Sequence, residues 1–410
     1  MNPTIKARIE SIRRGEVPEG YKRTKAGILP VDWEFNPLSQ LAQKSKTKNR
    51  EERYTKILTN SANEGIISQT DYFDKQIANN DNIEGYYIVK KGDFVYNPRI
   101  SGAAPCGPIN CYHGEETGVM SPLYTVFSID VKKIERDYVE QFFSSTFWHR
   151  YMKSVANYGV RSDRMNLSDE DFFLLPIPMP MRTEQEKIAE ILAGQDRVIA
   201  LKEKLLAEKQ KQKKYLMQQL FMHDIKEWIR LSEIANVIMG QSPDSKYYND
   251  KMIGLPLLQG NADLKDGYPL PRIYTTSVTK KCEKNDILLS VRAPVGCVFR
   301  SNIVACIGRG ISAIRSREHQ EYLYHFLIFY EEKWKSVAQG STFEAISGND
   351  IRNLLIPIVA DKEKVCKVLS TADKEIELLR KDIEQEKLKK KSLMQLLLTG
   401  IVRIKEGKYE

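Results

Sequence analysis

The chain has 410 residues, 41% of them hydrophobic and 29% charged, with a formal net charge of +9. That length allows two or three domains with real cores, and the positive balance suits a nucleic-acid partner without requiring one. The amino terminus, MNPTIKARIESIRRGE, has no apolar signal core, and no apolar run reaches membrane-spanning length, which excludes a membrane-embedded class and points to a reducing cytoplasm.

Residues Ile5 to Arg14 have an amphipathic helical pattern, followed by a turn at Pro18-Glu-Gly20. From Leu29 to about Pro180, short β-branched and aromatic runs are cut by Gly, Pro and Asn, as strands are. Examples are Tyr86-Tyr-Ile-Val89, Asp93-Phe-Val-Tyr96 and Leu123 to Ile129; an aromatic-rich helix is expected over Arg136 to Tyr151. Thr183 to Phe221 then reads as one long helix, with Thr183 and Glu186 in a capping-box pattern. Its apolar positions, Ile188, Leu192, Ile199, Leu206, Leu216 and Leu220, lie on a grid that steps by threes and fours, with polar Gln195, Lys202, Lys209 and Lys213 at the places between. A heptad seam kept over about five heptads gives a rod of roughly 58 Å, longer than an ordinary core needs.

The second half repeats the first. Glu227-Trp228 answers Asp32-Trp33, Leu231-Ser-Glu-Ile-Ala235 answers Leu38-Ser-Gln-Leu-Ala42, and Lys284 to Arg292 answers Lys91 to Arg99. Glu321 to Lys335 answers the aromatic helix, and Asp361 to Leu398 copies the long helix without a gap, with Asp361 a plausible cap. Leu192 falls on Leu369, Asp196 on Asp373, and Lys214-Tyr-Leu-Met-Gln218 on Lys391-Ser-Leu-Met-Gln395. Such a repeat means two similar halves joined. The fold class expected is α+β: two similar globular domains separated by two long helices in an antiparallel coiled coil, a pseudo-twofold repeat. The segments are a first domain over 1–182, a spacer helix over 183–222, a second domain over 223–360, and a second helix with tail over 361–410. Antiparallel pairing sets Leu192 near Leu393 and Leu216 near Leu369, and brings the acidic start of each helix to the basic finish of the other.

The chain resembles the specificity subunits of type I restriction–modification enzymes. The resemblance rests on the doubled domain-plus-helix plan and on Leu175-Pro-Ile-Pro-Met-Pro180 leading into Glu184-Gln-Glu-Lys-Ile188. It rests also on the Leu-Met-Gln helix ends and on Leu231-Ser-Glu-Ile-Ala235 through Gly240-Gln-Ser-Pro243. The second helix opens instead with Asp361-Lys-Glu-Lys, and the first domain has no Gly-Gln-Ser-Pro counterpart. The resemblance implies a DNA-binding adaptor without catalysis or cofactor of its own. Each globular domain would be a target-recognition domain reading half of a split, asymmetric sequence in double-stranded DNA. The helices would act as a spacer, and so as a ruler between the half-sites, and dock two methyltransferase subunits. Those partners use S-adenosylmethionine to modify adenine; restriction subunits using ATP and magnesium join for cleavage.

The residues themselves agree with an absence of catalysis. An amino-methyltransferase grips a flipped base with an Asn/Asp-Pro-Pro-aromatic loop, and the nearest match, Asn97-Pro98-Arg99, lacks the second Pro and the aromatic. No GxxxxGK[ST] loop is present, and Gly308-Arg-Gly310 is too short for a nucleotide loop and reads as a turn. Cys106, Cys111 and His113 are close enough for zinc, although loop and core thiols account for them better. Two other classes stay in view: a stand-alone DNA-modifying enzyme with divergent motifs, and a coiled-coil scaffold with no DNA role.

DNA-binding candidates lie in the loops. Lys44, Lys46, Lys48 and Arg50 form a run that either tracks phosphates or is a solvated loop. Arg99 and Arg292 recur at matching places after a strand, which suits a shared phosphate or structural role. Arg161 and Arg164 lie in a loop that only the first half has, and Arg forks read guanine edges, although a local pair with Asp163 is the competing account. In the second half, Gln241, Ser242, Gln259, Asn261 and Thr342 offer amides and hydroxyls.

Overall fold

The computed structural model describes residues 3–24, 27–72, 83–156, 163–265, 267–339, 345–405 and 408–409. It divides into two compact units, Met1–Leu201 with Ile383–Glu410, and Lys202–Asp382. Each unit holds one globular domain and a stretch of both long helices.

The first unit is built on a four-stranded antiparallel sheet in the order Ala42–Lys44, Thr125–Ile129, Phe94–Tyr96, Ile109–Cys111. Phe94, Val95 and Tyr96 are all buried. Both faces of that strand are covered, so it reads as a continuous apolar run instead of an alternation. The helix Arg136–Phe143 buries Tyr138, Val139, Phe142 and Phe143 against it. The long aromatic helix expected here is interrupted after Phe143, and a second helix starts at His149. The cause is Ser144-Ser-Thr146: the Ser145 hydroxyl donates to the Phe142 carbonyl at 2.6 Å and accepts from the Phe147 amide at 3.2 Å. Local bonds of this kind compete with the helix.

The second unit repeats the sheet strand for strand: Ala235–Met239, Ile311–Ser316, Ile287–Ser290, Val298–Arg300. The short helices Leu38–Leu41 and Leu231–Ile234 precede the equivalent first strands. A single helix, Gln320–Gln339, replaces the interrupted pair, and the pairing of Tyr87–Val89 with Gly118–Met120 is answered by a larger, five-stranded sheet running from Tyr248–Asn249 to Lys281–Cys282. The halves thus share a frame and differ in what is hung on it.

The first long helix spans Arg182–Met222 and the second Lys362–Leu397. In the first unit Ile188, Ala189 and Leu192 share a buried cluster with Leu393, Met394 and Leu397. There Gln195 Nε2 donates to Glu386 Oε2 at 2.6 Å, and Lys390 Nζ lies 2.6 Å from Asp196. In the second unit Leu216, Met217 and Phe221 cluster with Val365 and Leu369, while Lys209 and Lys213 pair with Glu375 and Asp373. Partners climb one helix as they descend the other, so within each unit the pair runs antiparallel, with the expected neighbours. Exposed ion pairs contribute about 0–1 kcal/mol each, so the apolar seam carries most of the association. The Thr183 capping box does not form: the helix starts at Arg182, whose guanidinium takes Glu186, 3.1 Å away. At the second helix Asp361 does cap, accepting from the Lys364 amide at 2.8 Å.

Glu321 joins the second domain to the second helix. It accepts from Ser370 Oγ at 3.0 Å, and it lies 2.8 Å from the Arg300 guanidinium as an ion pair and 3.2 Å from His325 Nε2. The hydrogen bond with His325 chiefly, helped by Arg300 and Ser370, holds its carboxyl down to about 2. A carboxyl depressed in the folded state stabilises above its unfolded value and loses that contribution as pH falls through the folded one. Unfolding midpoints should therefore decline as pH drops from about 4.5 towards 2. Glu321→Gln should flatten that decline; an identical acid profile for the variant would remove the assignment.

Candidate nucleic-acid interface

In the second unit four loops meet at one end of the central sheet. The Gly240 amide donates to the Ile311 carbonyl at 3.0 Å and the Gln241 amide to the Ile307 carbonyl at 2.9 Å. The Gly308 amide donates to Leu258 and the Val291 amide to Gly310. Ser242 Oγ accepts from the Arg309 amide at 3.2 Å, and Asn261 Nδ2 donates to the Pro294 carbonyl. A Cβ on Gly240 would stand 2.1 Å from the Gly308 carbonyl oxygen, and one on Gly310 would stand 2.2 Å from that of Gln259. Backbone packs on backbone here, which is why only glycine fits. Gln241, Ser242, Gln259, Asn261 and Arg292, scattered in sequence, are drawn onto this junction; Thr342 lies outside the described residues.

In the first unit Arg99 and Arg164 face each other across an antiparallel bridge. The Ile100 amide donates to Asp163 and the Met165 amide to Pro98, both at 2.8 Å. Arg292 makes the equivalent bridge with Ala345 in the second unit. The repeated arginine thus marks a structural joint between the central strand and the loop that follows the helices. Its side chain is exposed in both halves and forms no ion pair among the described residues. Arg164 Nε is 3.9 Å from Asp163, a loose pair that leaves the guanidinium available, and Arg161 lies outside the described residues. Asn97 is fully employed: its Oδ1 accepts from the Arg99 amide and its Nδ2 donates to the Asn60 carbonyl, each at 3.0 Å. It shapes the strand end and is not poised to hold a base.

The basic run does not act as one strip. Lys44 pairs with Asp169, and Lys48 lies over the Tyr87 ring at 6.0 Å. Lys44 and Lys46 line an open cleft of about 710 Å³ with Lys90 and Asp93, and Arg50 is exposed. Buried Asn49 pins the loop through its side chain to Tyr54.

A family model, the type I restriction modification DNA specificity domain, matches residues 30–209 and again 225–387. The chain belongs to this family. The double match falls on the two copies of the sheet. Among relatives of this specificity family, the putative type I restriction enzyme MjaX specificity subunit of Methanocaldococcus jannaschii is 29% identical, over 94% of this chain and 97% of that protein. The MjaVIII specificity subunit of the same organism is 24% identical over 70% of this chain and 75% of its own length. Two solved structures share the fold. One, from work on complex assembly and conformational transition of the type I R-M system, has a TM-score of 0.61 at 23% identity, covering 91% of this chain and 99% of that one. The other, the S subunit of the type-I system of M. genitalium, has a TM-score of 0.54 at 15% identity, covering 89% and 96%.

The zinc grouping considered for this specificity chain does not assemble. Cys106 is buried with its thiol towards the His149 carbonyl. Cys111 lies instead near His113 and Glu140, and those two hydrogen-bond each other at 2.7 Å. Burial, and then the Glu140 carboxylate, push the Cys111 thiol up to about 12. Such a thiol is a core group, not a ready thiolate. No described helix is long and apolar enough to cross a membrane.

Proposed function

We propose that this chain reads a bipartite, asymmetric DNA sequence, one half-site per unit, and brings partner methyltransferase and restriction subunits to it without catalysing the reaction. The observation that carries the reading is one frame built twice with different tips. The strand order, the short opening helix and the strand-end arginine recur, whereas the loops beyond them do not. A shared frame supplies a shared mode of docking; different tips supply two different sequences. The net charge of +9 favours approach to DNA but cannot select a sequence, so selection falls to side chains that reach base edges. S-adenosylmethionine, ATP and magnesium belong on this reading to the partners. Two methyltransferases docking on the paired helices would match the internal repeat.

Arg164 tests the division of labour. Arg164→Ala, assembled with its methyltransferase partners, should lose about 1–3 kcal/mol on duplexes carrying the first unit's half-site. Binding to the other half-site should be intact. Equal loss on cognate and random duplexes would make Arg164 a phosphate contact, and no loss would make it a structural residue of the bridge.

A further inference from the structure

We propose that Arg309 is a base-reading residue of the second unit, contacting a guanine in the major groove of its half-site. This deepens the reading above and rests on it. Arg309 is exposed between buried Gly308 and Gly310. Both glycines are pinned: the Gly308 amide to Leu258, the Gly310 carbonyl to Val291, and the Arg309 amide itself to Ser242 Oγ. A Cβ on Gly308 would already press on Gln259, and one on Gly310 would meet the Gln259 backbone. The turn is therefore held from both sides, and the one long side chain at its tip projects from a fixed base. Specific recognition needs this rigidity, because an arginine on a mobile loop loses ordering entropy that a preorganised one does not.

Second, the guanidinium is unspent. Arg309 forms no ion pair or side-chain hydrogen bond among the described residues, whereas Arg272, Arg300, Arg315 and Arg317 of the same unit all hold partners. An exposed arginine fork on a rigid turn matches the paired acceptors of guanine O6 and N7. Third, its neighbours are readers by chemistry. Gln241, Gln259 and Asn261 offer amides on the same junction, and Asn261 Oδ1 is a buried acceptor without a partner among the described residues.

Fourth, the position is peculiar to one half. The registers Val126 with Val95 and Ala313 with Leu288 superpose the two sheets, and Arg309 then falls on Pro122. A residue serving the common frame would recur, as Arg99 and Arg292 do; one that differs suits a half-specific role.

The test uses the full chain assembled with its methyltransferase partners and the duplex sequence found by mapping methylated adenines. Arg309→Ala should weaken binding to the cognate duplex 10- to 100-fold and leave binding to random duplex unchanged. Replacing one guanine of the second half-site by 7-deazaguanine should weaken the unaltered protein to a similar degree and leave Arg309→Ala unaffected. Arg309→Lys should restore recognition only in part, since an ammonium lacks the planar fork that matches the paired acceptors. Equal loss on all duplexes with a shallower salt dependence would make Arg309 a phosphate contact and overturn the inference. Unchanged cognate binding, or a second half-site with no guanine in either strand, would also overturn it. If the unaltered assembly shows no sequence preference, the DNA-reading function itself fails; if it does and Arg309→Ala matches it, only this inference fails.

Discussion

Arg403→Ala is expected to destabilise the first unit by about 3–5 kcal/mol, the cost of leaving a buried charge without its partner. The charge is Glu184, in the first turn of the first long helix and 3% exposed. Arg403 reaches it through Nε and Nη2, each at 2.9 Å, and grips Asp32 through Nη1 and Nη2 at 2.8 and 2.9 Å. The Ile404 amide and the Trp33 indole also donate to Glu184, and the guanidinium lies 5.5 Å from the Trp33 ring centre. Burial opposes the charge on Arg403, but the two carboxylates outweigh it and hold its pKa above the ordinary arginine value. One side chain thus ties the tail beyond the second helix to the start of the first helix and to the body of the first domain. Equilibrium denaturation followed by Trp33 emission should show the loss. Replacing both partners, Arg403→Met with Glu184→Leu, should recover much of it, because the unpaired charge goes too. A single variant within 1 kcal/mol of the parent would show the network to be ornamental.

Phe221→Ala should cost the second unit a similar amount, about 3–5 kcal/mol, as large-to-small changes in a packed aromatic core do. Phe221 closes the first long helix and is fully buried. Its ring lies 5.4 Å from those of Tyr322 and Phe326 and 5.7 Å from that of Phe329. These contacts fix the end of the helix to the recognition domain, so the variant should also blur discrimination at the second half-site. Phe221→Leu, which keeps most of the volume, should be milder. Equal melting temperatures for Phe221→Ala and the parent would contradict this packing role.

Much of the frame was legible in the sequence because repetition is a strong signal. Leu192 and Leu369, Arg99 and Arg292, and the paired openings at Leu38 and Leu231 each have a partner, and the structure puts both members in equivalent places. The helix directions were legible from the seam and the charge gradients. What escaped depends on contacts distant in sequence. Thr183 looked like a cap, but Arg182 already belongs to the helix; Ser145 broke an aromatic pattern that periodicity alone carried through. The proposed recognition surface was least legible. Gly308-Arg-Gly310 looked like a plain turn because its meaning lies in Gln259, Ser242 and Val291 closing around it, and no local pattern announces that. The Gly-Arg-Gly pattern was a signal only in hindsight: one glycine at which no side chain fits and one at which a side chain would be tight, flanking a single cation.

Mapping methylated adenines in the DNA of cells that make this chain with its methyltransferase partners tests the central claim most directly. The account predicts a single asymmetric motif of two short specified blocks separated by unspecified bases. Arg164→Ala should relax only one block and Phe221→Ala only the other. A continuous or palindromic motif, or methylation unchanged when this chain is removed, would contradict it.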